Sequence, residues 1–99
     1  AIAAYQETWL KALEETENAM AGYRAANESA AALEYAVSES RKASDLARMR
    51  YEAGASDYLT VLDAERTALD TEDQYADAST RRATTLAAVY KALAGDFAR

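Results

Sequence analysis

The chain has no cysteine, no histidine and no proline, and only three glycines among its 99 residues. Each absence excludes something. Without histidine or cysteine it lacks the commonest general base, the thiol nucleophile and the soft metal ligands. A di-iron bundle needs Glu-x-x-His and is ruled out. No glycine-rich phosphate loop and no EF-hand spacing with its central glycine occurs. Without proline, nothing forces a kink or stop inside a helix. No apolar run approaches the roughly 20 residues of a membrane-spanning helix. Large aliphatic residues are also scarce: Leu, Ile, Val and Phe together fill 14 positions. With a net charge of −6, nucleic acid is disfavoured as a partner, because phosphate binding needs a concentrated basic face. We read the chain as no enzyme, with no cofactor and no metal site. The acidic run from Asp63 to Asp77 is then a solvated face.

What is abundant is alanine, at 26 positions, the residue of highest helix propensity. Residues 2, 5, 9, 12, 16, 19, 23, 26, 30, 33, 37, 40, 44, 47 and 51 follow alternating three- and four-residue steps without a charge among them. That is a coiled-coil seam. Many of its members are Ala, Ser or Thr, which lets backbones approach closely; Trp9 is expected in its core. Leu10, Leu13, Met20 and Met49 lie beside it and widen the apolar surface, which implies more than one neighbour. In the second half Leu62, Leu69, Ala76, Ala83, Tyr90 and Phe97 recur every seven residues, with Val61, Ala68, Tyr75 and Val89 along one side. The only convincing break lies at Gly54, which can take a left-handed conformation and end a helix, followed by Ser56 or Asp57 as a cap for the next. The expected fold is all-α: a long antiparallel two-helix coiled-coil hairpin, with a helix over about 2–53, a turn over about 54–57 and a helix over about 58–95.

Antiparallel pairing about residue 55 sets residue i against residue 110 − i. Arg41 then lies near Asp70, Arg48 near Asp63, and Glu28 opposite Arg82. Gly22 inside the first helix marks either a close helix crossing or a tolerated defect, and Gly95 is expected to end the second helix. A hairpin with so few large side chains has little core to offset chain entropy. With its opening in mid-pattern, this leads us to expect a piece of a larger protein that associates with copies of itself or with neighbouring elements.

The stretch Arg50-Tyr51, Gly54 and Tyr58-Leu59-Thr60-Val61-Leu62-Asp63-Ala64 resembles the second-repeat hairpin of the outer-membrane efflux protein (TolC-like) family. That family shows Arg-Tyr-x-x-Gly, a short variable step, then Tyr-Leu-x-Val-Leu-Asp-Ala. Tyr5-Gln6 with Leu10-Lys11-Ala12-Leu13-Glu14-Glu15-Thr16-Glu17-Asn18-Ala19 is similar to the family segment that leaves the membrane barrel. Tyr90-Lys91-Ala92-Leu93-Ala94-Gly95 is similar to its closing block. The resemblance implies a homotrimeric export duct of a Gram-negative outer membrane, whose periplasmic α-helical barrel is built from such hairpins. It implies an adaptor protein as direct partner and an inner-membrane pump as indirect partner. It also implies an adaptor-contacting and gating tip, carried by Tyr51, Gly54, Asp57, Tyr58, Leu59, Leu62, Asp63 and Ala64. Some members place a basic residue just after the tip glycine; this chain has Ala55 and Ser56 there, with no charge for a salt-bridged gate. Glu65 stands for the usual amide and Ala94 for a closing glycine. The alternative is a coiled-coil module that only oligomerises or scaffolds.

Overall fold

In a computed structural model, residues 2–97 are described, with the side chains of 3–97. Two helices account for nearly all of them: α1, Ile2–Glu52, and α2, Tyr58–Phe97. Their lengths of 51 and 40 residues far exceed the ordinary globular helix of about 11–12 residues. Alanine, the absence of proline and a continuous apolar stripe account for this persistence. The chain forms two compact units, one of residues 29–79 and one of residues 1–28 with 80–99. In each, a stretch of α1 pairs with a stretch of α2, and the fold is all-α.

The seam read from the first half is the buried face of α1. Its members from Ala12 to Ala47 are all buried or half-buried, and every buried residue of α1 belongs to it. In the unit of residues 29–79, Ala30, Val37, Ser40 and Ala47 face inward with Val61, Ala68 and Ala78 of α2. In the other unit, Ala12, Thr16 and Ala26 are buried, and Leu86, Val89 and Ala92 of α2 are half-buried. This interior is small and partly polar. Buried hydroxyls are therefore used across it: Ser40 and Thr71 share a 2.7 Å hydrogen bond, and Thr16 donates to the Asp96 carboxylate at 2.6 Å. No buried side-chain polar atom among the described residues lacks a partner, which spares the interior the cost of a lost hydrogen bond.

The seven-residue row of the second helix does not face α1. Leu62, Leu69, Ala76, Ala83, Tyr90 and Phe97 are all exposed. The inward row is one residue earlier, with Val61 and Ala68 buried and Tyr75, Arg82 and Val89 half-buried. Val61 is only 1% exposed, whereas Leu62 is 42% exposed. The reason is complementarity. The facing seam of α1 in this unit is mostly small, with Ala30, Ser40, Ser44 and Ala47 beside Leu33 and Val37, so valine and alanine can come close, and the leucines are left for the outer surface.

Three expectations change, and the open reading of Gly22 is decided. Trp9 is 50% exposed and Tyr5 71% exposed, so the seam is bare at its start rather than a core there. The region around Gly22 is open, with nothing near where a side chain would project, so no close crossing requires that glycine. Gly95 does not stop α2, which runs on to Phe97; its φ is not in the left-handed region. The charge register is displaced by two residues along α2. Arg41 pairs with Glu72 and Arg48 with Glu65, rather than with Asp70 and Asp63. These arginines flank the seam and reach the flank of α2, where Glu65 and Glu72 repeat at seven residues. Asp63 and Asp70 are exposed. Glu28 and Arg82 are not among the three ion pairs of the described residues.

Candidate functional site

The end of the unit of residues 29–79, where α1 turns into α2, contains all the residues singled out at the break. Gly54 has φ +79°, and it is the only positive-φ residue among those described. Its amide donates to the Tyr51 carbonyl at 3.0 Å, and the next amide, of Ala55, donates to the Arg50 carbonyl at 2.8 Å. This pair of bonds is the Schellman termination, with the left-handed glycine at the position after the cap. It consumes carbonyls that the end of a helix would otherwise leave free.

Of the two caps open in the sequence, Asp57 is the one used. Its Oδ1 accepts from the Thr60 amide at 3.1 Å and from the Thr60 hydroxyl at 2.8 Å. The Thr60 hydroxyl first, and then the Thr60 amide, hold the Asp57 carboxyl below its ordinary value of 3.8, with slight burial opposing them. Both bonds favour the ionised form. The carboxylate also sits at the positive end of the α2 dipole. Ser56 only reaches the Asp57 carbonyl, at 3.5 Å.

Two aromatic rings close over the break. Tyr51, in the last turn of α1, and Tyr58, first residue of α2, have ring centroids 5.3 Å apart at an interplanar angle of 56°. Such tilted pairs contribute about 0.5–1.5 kcal/mol beyond area burial. Both rings stay exposed, as do Met49, Leu59 and Leu62. Asp63 is exposed and Ala64 half-buried. The turn thus brings Tyr51, Gly54, Asp57 and Tyr58 into one structure, while Leu59, Leu62 and Asp63 are displayed to solvent. Thr60, which fastens the cap, was not singled out, although its spacing three residues after Asp57 is the spacing of an N-cap and its partner. Nor was the Arg48–Glu65 pair beside the tip.

The site carries no reacting constellation. Among the described residues no group of three or more His, Cys, Asp or Glu is placed to hold a metal ion. No described helix is long and apolar enough to cross a membrane. The arrangement is an internally hydrogen-bonded turn with apolar and aromatic side chains around it, and outward leucines on the helix behind it.

These features define a helical pairing element, with one face of α2 turned to α1 and another exposed. The model of the family described as outer membrane efflux protein matches residues 1–95, and the chain belongs to that family. It is 35% identical over 95 residues to outer membrane protein OprJ of Pseudomonas aeruginosa, a match covering 96% of this chain and 20% of that protein. It is 34% identical over 94 residues to the pyoverdine export outer membrane protein OpmQ of Pseudomonas putida, covering 95% of this chain and 20% of that protein. The chain thus spans about one fifth of the length of these relatives. No solved structure matches it.

Proposed function

We propose that the chain is a periplasmic helical hairpin of a trimeric outer-membrane efflux channel, in which α1 and α2 form part of the wall of the export duct. The turn around Gly54 is the end that contacts a periplasmic adaptor and narrows to gate the passage, and the inner-membrane pump is reached through that adaptor. The observation that carries this reading is the two-sided character of α2. Its inward row, with Val61 and Ala68 buried, closes on α1, while Leu62, Leu69 and Tyr90 remain exposed at heptad spacing. A free-standing hairpin has no use for that second row; a wall helix with a further neighbour does. Membership of the efflux family supports the same reading, as do relatives named as outer membrane proteins, one of them for pyoverdine export.

The tip role rests on Tyr51, Gly54, Asp57, Tyr58, Leu59, Leu62, Asp63 and Ala64. The Schellman turn and the Asp57 cap satisfy backbone groups internally. Recognition at this end therefore falls to side chains, and Tyr58 and Leu59 are the most exposed of the tip aromatics and leucines. The mechanism is passive: no bond is made or broken, and changes in packing between tips widen the passage. The test uses the full-length protein in its own cells. Tyr58→Ser with Leu59→Lys should leave outer-membrane level and trimer unchanged and abolish export. Normal export by that variant would overturn the tip assignment.

A further inference from the structure

We draw no further inference here: the strongest candidate, the groove of about 230 Å³ lined by Tyr5, Gln6, Trp9 and Leu10 at the bare start of the α1 seam, is an unpartnered apolar face, and nothing in the structure shows what covers it.

Discussion

The three glycines provide an internally controlled test of the turn. Gly54 has φ +79°, while Gly22 and Gly95 lie within helices without a positive φ. A Cβ at any of the three would meet nothing within 4 Å, so steric clash drops out and only backbone preference remains. At Gly22 and Gly95 alanine should stabilise by roughly 0.5–1 kcal/mol, the ordinary helix advantage of alanine over glycine. At Gly54 an L-residue in the left-handed region costs roughly 1–2 kcal/mol. Reduced freedom of the unfolded chain returns about 0.4–1 kcal/mol for alanine. The net effect of Gly54→Ala is a loss on the order of 1 kcal/mol, or a few degrees of melting temperature for a chain of this size. Gly54→Val should lose more, because a branched Cβ fits that region poorly, and Gly54→Asn should lose least. The assay is urea and thermal unfolding by far-UV circular dichroism, at one protein concentration because association shifts apparent stability. The reasoning is refuted if Gly54→Val melts with the parent chain, or if alanine at Gly54 stabilises as it does at Gly22.

Four further outcomes follow from the packing, the cap and the ion pairs. At a concentration low enough to keep the isolated chain monomeric, Val61→Ala should cost about 2 kcal/mol, two buried methyl groups being lost, while Leu62→Ala should stay within about 0.5 kcal/mol; equal losses would reverse the assigned phase of α2. Light scattering should find the isolated chain self-associated through its outward row, and Leu62→Glu with Leu69→Glu should make it monomeric; a well-folded monomeric parent would contradict this. The folded carboxyl of Asp57 is lowered from 3.8, so its stabilisation is present above that value and is lost as pH falls through the lower folded one. Asp57→Asn should remove this acid dependence while keeping an acceptor for the Thr60 amide, and an unchanged acid profile would exclude the cap as its source. The exposed Arg41–Glu72 and Arg48–Glu65 pairs should each show a coupling of about 0–1 kcal/mol in double-mutant cycles, declining with salt.

Helix class and the buried face of α1 were legible because proline is absent and one uncharged stripe dominates the first half. Gly54 was legible because glycine at a break followed by Asp is a local signal, decided within a few residues. The phase of α2 was not, for a physical reason. Two rows one residue apart compete there, one with Leu62, Leu69 and Tyr90 and the other with Val61, Ala68, Tyr75 and Val89, and the sequence alone does not choose between them. The choice is made by the partner: against the mostly small face of Ala30, Val37, Ser40 and Ala47 it is Val61 and Ala68 that are buried, and Leu62 and Leu69 stay at the surface. The same dependence on the partner shifted the ion pairs, since Arg41 and Arg48 can reach several acids and packing selects Glu72 and Glu65. Trp9 read as core from its stripe position, yet burial requires a neighbour on that stretch of seam. Thr60 carries no strong signal of its own inside a helix-like pattern, and its role emerges only once Asp57 is the cap.

We propose the Gly54 end as the docking tip of an efflux channel. That role is tested most directly by placing a photoactivatable residue at Leu59 in the full-length protein and irradiating living cells, with Gln74, on the exposed face of α2, as comparison. A docking tip should give an adduct at Leu59 whose mass-spectrometric identity is a periplasmic adaptor, and a much weaker one at Gln74. Assembled, exporting trimers that give no adaptor adduct at Leu59, or give it equally at Gln74, would contradict that role.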